Sequence, residues 1–348
     1  MEARKNIRML TQEELTACFE TMQQKKFHAR QVWEWLWKKH AVTFAEMTNL
    51  GKELRQQLDD RFILPALSQE ITQRSSDGTV KIRFRTHEGH AVEGVLIPTE
   101  DRQTACVSSQ VGCSLSCRFC ATGFLERKRN LHFDEIVDEV VLLQQAAEGS
   151  FGKKLSNIVF MGMGEPLLNY ANVLRAIERI TAADGLAMSP RRITVSTAGV
   201  AKMIRRLGDD GVRFNLALSL HAANDRKRNE IMPINETNQI SELVSALNYF
   251  YGKTRNDITF EYILFRNVND SLGDADDLIR ICRQVPVRLV NIIEYNPIDQ
   301  ASFEKPDQEI TQRFMDYLAA HRVNVRLRLS RGKDIDAACG QLANKVTA

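Results

Sequence analysis

Apolar side chains recur at helical spacing in the first sixty residues. The stretches 27–40 and 50–62 place them three or four positions apart, which is typical of helices with one buried face. Thr11 is followed three residues later by Glu14, the arrangement in which the side chains at the start of a helix cap each other's backbone N–H groups. The pattern predicts a small helical accessory domain over residues 1–64.

The pattern changes to alternation in the next segment. From Val80 to Arg85 apolar and basic residues alternate, as in a strand with one buried face, and the run 92–97 is a second extended stretch. A Ser-Asp-Gly sequence at 76–78 precedes the first run and is typical of a turn. We therefore expect a β-hairpin extension over residues 65–103.

From about residue 104 short apolar runs alternate with helical stretches. The candidate strands are 105–109, 158–161, 193–197, 214–220, 258–264 and 289–294. The candidate helices between them include 134–147, 172–183, 240–251 and 274–284. This alternation predicts an α/β fold with parallel strands covered by helices. Six units are too few for a closed eight-stranded barrel, so we expect a partial barrel or an open sheet over residues 104–348, with its site at the carboxyl ends of the strands. A seventh strand, 323–329, leads into a loop that contains Cys339.

Composition narrows the class of protein. The 348 residues are 43% hydrophobic and 26% charged, as in ordinary soluble globular proteins, and no apolar run is long enough to cross a membrane. Residues 1–6 have no apolar segment after their charges, so we expect no secretory signal and a cytoplasmic protein. In that compartment the seven cysteines are more often ligands or catalysts than disulfides. The net charge of +3 does not by itself indicate a nucleic-acid partner.

Three cysteines follow the first candidate strand at the spacing C-x3-C-x2-C. Cys113, Cys117 and Cys120 could bind three irons of a 4Fe–4S cluster and leave the fourth iron without a protein ligand. An open iron suits chemistry better than electron storage. A zinc site with Cys106 as the fourth thiolate is the alternative, although zinc ligands usually come as two separated pairs.

Small polar residues follow the other candidate strands. Each alone is typical of a helix cap or a turn, but all fall at the same expected edge of the sheet. The residues are Gly164, Glu165, Ser196, Ser219, His221 and Asn296.

Together, the three-cysteine loop and these strand ends resemble the radical S-adenosylmethionine (SAM) superfamily. The resemblance implies a partial (β/α)6 barrel, one 4Fe–4S cluster held by the three cysteines, and SAM bound to the open iron. It also implies a SAM pocket lined by Gly164, Glu165, Ser196, Ser219, Leu220, His221 and Asn296.

A narrower resemblance covers nearly the whole chain. The segments 106–113, 129–131, 161–167, 232–235 and 334–342 resemble the dual-specificity RNA adenine methyltransferases of the RlmN/Cfr family. The resemblance implies that Cys339 forms an S-methylcysteine intermediate, that two SAM molecules are used per turnover, and that the enzyme is transiently crosslinked to RNA. It further implies that Cys106 resolves the adduct through a transient disulfide with Cys339, and that Glu93 is the proton acceptor.

Within that family the target carbon is C2 or C8 of adenine. Pro166 and the pair Arg331–Gly332 resemble the C2 enzymes, whose targets would be adenosine 2503 of 23S ribosomal RNA and adenosine 37 of some transfer RNAs. Basic residues near the Cys339 loop, including Arg326 and Arg328, would then engage RNA phosphates. We also expect a reducing electron donor such as flavodoxin, and a monomer.

Three alternatives remain open on the sequence. The first is C8 methylation of the same adenosine. The second is a radical SAM enzyme acting on another substrate, which gives no role to Cys106 and Cys339. The third is a noncatalytic, zinc-stabilised RNA-binding protein.

Overall fold

The structure is a computed structural model and describes residues 4–345. The described range leaves out residues 1–3 of the first predicted domain and residues 346–348 of the last. Residues 1–3 also belong to the stretch 1–6, which we expected to lack a secretory signal. Within residues 4–345, no helix combines the length and the apolar character needed to cross a membrane.

The described residues form ten α-helices and fourteen strands. The helices are α1 (Gln12–Thr21), α2 (Lys26–Trp37), α3 (Lys52–Arg61), α4 (Phe133–Phe151), α5 (Tyr170–Thr181), α6 (Ala201–Asp209), α7 (Asp225–Ile231), α8 (Ile240–Thr254), α9 (Leu272–Cys282) and α10 (Gln308–Ala320). The strands are β1 (Lys5–Asn6), β2 (Phe62–Ile63), β3 (Ser68–Arg74), β4 (Val80–Arg85), β5 (Ala91–Pro98), β6 (Gln103–Cys106), β7 (Gln110–Val111), β8 (Arg129–Asn130), β9 (Asn157–Phe160), β10 (Ile193–Thr197), β11 (Asn215–Ser219), β12 (Ile258–Leu264), β13 (Val287–Glu294) and β14 (Val325–Arg328).

One ten-stranded sheet forms the body of the molecule. Its order is β14-β13-β12-β11-β10-β9-β6-β5-β4-β3, so it is open rather than closed into a ring. The strands from β6 through β9 to β14 pair in parallel, whereas β3 to β6 pair antiparallel. The α/β class and the partial barrel are therefore confirmed, and the seventh parallel strand lies where the sequence placed it.

The antiparallel part is larger than the hairpin expected from the sequence. The strand β3 was missed because most of its side chains are polar and solvent-exposed, so it lacks the apolar alternation of a half-buried strand. It pairs with β4 at the edge of the sheet, and β5 joins this unit to the barrel through β6. We call β3–β5 the antiparallel extension.

The amino-terminal helices pack on the barrel through α4. Thr11 and Glu14 cap each other's N–H groups at 3.1 and 2.7 Å, as expected. The buried Arg8 donates twice to Asp138 of α4, at 2.7 and 2.8 Å, and the ring of Trp37 stacks on Phe133 with centroids 5.6 Å apart. A bidentate arginine–carboxylate pair is geometrically specific, so it sets how this segment docks.

Candidate active site

A cavity that is open to solvent lies at the carboxyl ends of the parallel strands. Parallel strands end on the same edge of a sheet, which brings distant loops together there. The cavity is lined by all five cysteines to which the sequence assigned chemistry: Cys106, Cys113, Cys117, Cys120 and Cys339.

The three-cysteine loop is folded tightly between two short strands. Strands β7 and β8 pair antiparallel on either side of it and close its base. Gly112 has φ +77°, and a Cβ there would lie 2.3 Å from the carbonyl oxygen of Glu126, so only glycine fits. A Cβ on Gly123 would lie 2.9 Å from the carbonyl oxygen of Cys117, which shows how closely the loop returns on itself.

The thiols of this loop suit a metal cluster. Burial raises the pKa of Cys113 to about 11 and also raises the pKa of Cys117 and Cys120, so without a metal all three stay protonated at neutral pH. A metal displaces the proton and binds the thiolate. Among residues 4–345 no set of three potential ligands converges on a single ion. A cubane instead binds each thiolate through a different iron, and three thiols around one cavity fit that arrangement.

The segment after β9 brings a carboxylate to the cavity. Gly164 has φ +92°, and a Cβ there would meet the side chain of Gln110 at 2.5 Å. The buried Glu165 accepts the N–H groups of Leu167 at 3.0 Å and Ala198 at 2.7 Å. Burial raises the pKa of Glu165 to about 6 despite these bonds. With the Thr197 hydroxyl, these donors occupy three of the about four acceptor positions of the carboxylate, so Glu165 can still accept a hydrogen bond from a ligand ammonium.

Two further strand ends contribute to the same wall. The hydroxyls of Ser196 and Ser219 lie 3.3 Å apart and face the cavity. Burial, with Arg228 nearby, lowers the pKa of His221 to about 3, so its ring is neutral, and its Nδ1 accepts the N–H of Ile263 at 3.1 Å. Leu220 is buried outside the cavity lining, and its N–H and carbonyl are bonded to Glu261 and Arg228.

The loop that carries Cys339 packs directly on the three-cysteine loop. The N–H of Ala121 donates to the carbonyl of Gly340 at 2.7 Å, and Thr122 Oγ1 donates to the carbonyl of Leu342 at 2.6 Å. Asn296 is not one of the described residues that line the cavity. Its amide donates to the carbonyl of Cys339 at 3.2 Å, so it holds this loop.

Cys106 and Cys339 face the same cavity but differ in exposure. Cys106, at the end of β6, is buried, whereas Cys339 is exposed, and both thiols are free. Burial first, and the proximity of Cys339 second, raise the pKa of Cys106 to about 12. Cys106 is therefore held as a protonated thiol beside an accessible one.

Glu93 lies on β5, outside the cavity lining. Its Oε2 accepts the N–H groups of Ala343 and Asn344 at 2.9 and 3.0 Å, and its Oε1 lies 3.5 Å from Lys81 Nζ. In this conformation both oxygens are occupied by the carboxy-terminal segment and by Lys81.

A polar network on the cavity wall was missed from the sequence. Glu261 is itself buried and is the charged residue of the strand β12, so the available signal was a carboxylate within a largely apolar run. Its Oε2 accepts from Arg328 at 3.1 Å and its Oε1 from Asn291 at 2.6 Å, while Asn291 accepts from Arg326 at 2.9 Å. Arg326 and Arg328, which the sequence offered to RNA phosphates, make these contacts to neighbouring strands, and the side chain of Arg326 is exposed.

A second missed residue, Arg228, connects the strand ends. It is completely buried and donates to the carbonyls of Ala198 at 2.5 Å and Leu220 at 3.0 Å, and to Asn235 at 2.7 Å. The carbonyl of Ala198 is thus held by Arg228 while its N–H is bonded to Glu165. Arg228 therefore supports the geometry of the cavity from behind.

Comparisons with known proteins agree with this architecture. The Ribosomal RNA large subunit methyltransferase N-terminal domain matches residues 5–64, and the Radical SAM superfamily matches residues 107–279. A radical SAM methyltransferase of known structure from Sphaerobacter thermophilus is 40% identical, with a TM-score of 0.92 over 98% of this chain and 100% of that one.

The fold and the site are thus those of a radical SAM methyltransferase. A probable dual-specificity RNA methyltransferase RlmN from Christiangramia forsetii is 52% identical over 99% of this chain and 97% of its own length. A dual-specificity RNA methyltransferase RlmN from Geobacter sulfurreducens is 46% identical over 93% of this chain and 88% of its own length. The chain belongs to the RlmN family of dual-specificity RNA methyltransferases.

Proposed function

We propose that this enzyme methylates C2 of adenosine 2503 in 23S ribosomal RNA, with adenosine 37 of transfer RNAs as a second target. The observation that carries the proposal is the single cavity that Cys339 and Cys106 share with the three-cysteine loop. The names of the relatives support an RNA substrate. The resemblance of Pro166 and Arg331–Gly332 to C2 enzymes favours C2 over C8.

In this proposal Cys113, Cys117 and Cys120 hold one 4Fe–4S cluster, and SAM occupies the adjoining part of the cavity. Glu165 would accept hydrogen bonds from the SAM ammonium, with Gly164 allowing close approach of the backbone. Ser196 and Ser219 offer hydroxyls on the neighbouring wall. When bound, the cluster supplies the electron that cleaves SAM, and two SAM molecules per turnover supply the methyl group and the radical.

The chemistry that this chain itself contributes rests on two thiols. Cys339 takes a methyl group as a sulfur nucleophile and then carries the carbon to adenine, in a transient protein–RNA link. Cys106 lies in the same cavity, where its sulfur would attack that of Cys339, so that the disulfide forms as the carbon–sulfur bond to the RNA breaks and the released methyl carbon takes up a proton. An adenine ring carbon is a poor nucleophile, so direct methyl transfer from SAM would fail, which is why radical chemistry is needed here.

Glu93 is the proposed proton acceptor at the ring carbon. Both of its oxygens are bonded to residues of the extension and the carboxy-terminal segment. The carboxy-terminal segment bonds only Oε2, so Oε1, which lies 3.5 Å from Lys81 Nζ, would take up the proton.

The remaining parts of the proposal concern surroundings and partners. The target adenine would leave its stack to enter the cavity, as bases do when enzymes act on them. We propose that the enzyme works as a monomer in the cytoplasm with a reducing donor such as flavodoxin.

Mass spectrometry of ribosomal and transfer RNA digests tests the function. Cells with the gene should contain 2-methyladenosine at the two positions, cells without it should not, and a gene encoding Cys339→Ala should not restore it. Methylation at C8, or RNA that is identical with and without the gene, would contradict the proposal.

A further inference from the structure

Cys339 lies in a carboxy-terminal segment, residues 332–345, with little regular structure of its own. Apart from one helical turn at Lys333–Ile335, the segment forms no helix and no strand. Its conformation must therefore be set by contacts to the rest of the chain.

The start of the segment is held by the turn between β3 and β4. Gly332 donates its N–H to Asp77 Oδ2 at 3.0 Å. Asp334 accepts from the hydroxyl of Ser75 at 2.5 Å and from the N–H of Ser76 at 3.0 Å. Gly332 has φ +67°, and a Cβ there would lie 2.7 Å from that of Ala337, so the chain turns here only with glycine.

The end of the segment is held by β4 and β5. Glu93 accepts the N–H groups of Ala343 and Asn344, and the side-chain amide of Asn344 donates to the carbonyl of Ala91 at 2.9 Å. Lys81 lies between the two ends of the segment, because it pairs with Glu93 and donates to the carbonyl of Asp336 at 3.3 Å. The side chains of Lys81 and Glu93 are only 4% and 1% exposed, so this pair is shielded from solvent.

We infer that the antiparallel extension anchors the segment 332–345 on both sides of Cys339 and thereby positions its sulfur. The inference rests on the methyl-carrying role proposed for Cys339. Asp77, Lys81, Glu93 and Asp334 are positioning residues of this anchor. Apart from Ile97, the extension contributes nothing to the cavity lining, so its contacts to the segment are its link to the site.

An anchor is needed because Cys339 is proposed to react first with SAM and then with the adenine of RNA, and its sulfur has to be placed correctly for both. A displacement of about 1 Å can cost roughly 10²-fold in rate. A segment without its own ladder of hydrogen bonds holds such a position only if its neighbours fix it at both ends.

The test uses Asp334→Ala and Lys81→Met in the full-length, cluster-loaded enzyme. Asp334 is solvent-exposed and its loss spares the core, whereas Lys81 is buried. Asp257→Ala is the matched control, since Asp257 lies just before β12, at the amino-terminal ends of the parallel strands and opposite the cavity, where it pairs with Arg288. We measure amide hydrogen exchange, iron content, the methylation state of Cys339, and kcat and KM for RNA.

The anchor predicts faster exchange in residues 332–345, with α4 unchanged, in both variants. It predicts a fall in kcat of roughly tenfold to 10²-fold with unchanged KM for RNA and unchanged iron content. The control should match the wild type in every measurement. Unchanged exchange in Asp334→Ala would overturn the anchor, and faster exchange with an unchanged kcat would overturn its positioning role.

Variants at Glu93 separate the anchor from proton transfer. Glu93→Gln keeps an oxygen that accepts from Ala343 and Asn344, so their exchange should stay slow, whereas Glu93→Ala should make it fast. Equal exchange in the two variants would contradict the anchor. If Cys339 of the wild type carries no methyl group, the proposed function fails, while the exchange measurements still decide the anchor.

Discussion

The guanidinium of Arg328 lies 3.1 Å from the carboxylate of Glu261, on the wall of the cavity that contains Cys106 and Cys339. The two residues belong to β14 and β12, which are separated in the sheet by β13. The pair therefore spans three strands beneath the reactive thiols, and Asn291 of β13 supplies a second donor to the same carboxylate.

Arg328→Met should lower the free energy of unfolding by about 2 kcal/mol, because it leaves the buried Glu261 without its cation. Urea denaturation at pH 7 measures the change. Arg288→Met on the neighbouring β13 is the control, since Arg288 forms an exposed pair with Asp257 and should change stability by less than about 1 kcal/mol. An equal loss of unfolding free energy in the two variants would show that the Arg328–Glu261 pair stabilises the protein no more than the exposed pair does.

Cys339→Ala should abolish RNA methylation and leave the cluster intact, because it removes the proposed methyl carrier but none of the cluster ligands. RNA methylation assays and the absorbance of iron–thiolate clusters near ~400 nm measure the two effects. Cys282→Ala, at the end of α9, is the matched cysteine control and should keep full activity. Residual methylation by Cys339→Ala would disprove the assignment.

Cys106→Ala should trap a covalent RNA–protein species, because the proposed crosslink forms but loses the thiol that resolves it. Denaturing gel electrophoresis of the protein with radiolabelled RNA would show a band of lower mobility. The double variant Cys106→Ala/Cys339→Ala should not give this band. Free RNA and unmodified protein from the single variant would count against a resolving role.

Asp77 should make the stability of the protein depend on pH. Although burial opposes it, hydrogen bonds from Thr79, Gly332 and Ser75 lower the pKa of Asp77 from 3.8 to about 2. A carboxyl with a lowered folded-state pKa stabilises the fold above its unfolded value, and this contribution disappears as the pH falls from about 4 to 2.

The expected contribution is on the order of 1 kcal/mol after solvent screening. Asp77→Asn should therefore have a lower free energy of unfolding than the wild type at pH 6, and the difference should shrink at pH 3. Urea denaturation at both pH values measures it. Asp101→Asn, at an exposed turn, controls for the loss of one charge. A difference that stays constant with pH would refute the role of ionised Asp77.

The sequence was sufficient for the parallel half of the fold. Buried parallel strands are continuous apolar runs, and β10 and β12 lie where those runs predicted them. The same pattern failed for β3, whose polar, exposed side chains differ little from those of a loop. The three-cysteine spacing was equally local, and it alone indicated a cluster site.

Other features depended on residues that are distant in sequence. The sequence suggested a role for Glu93 only through resemblance, and nothing local indicated that it bonds to residues 343 and 344. Likewise, Arg328 is one of many basic residues until the sheet brings it against Glu261.

The sequence by itself determined the class of fold, the candidate cluster ligands and the family, because these depend on short-range periodicity and on the spacing of a few residues. Only the tertiary structure decided which buried charges pair, which residues hold the Cys339 segment, and that Cys106 and Cys339 face one cavity. Such contacts join strands and loops far apart in the chain, and their geometry is set by the register and order of the sheet, which no local pattern encodes.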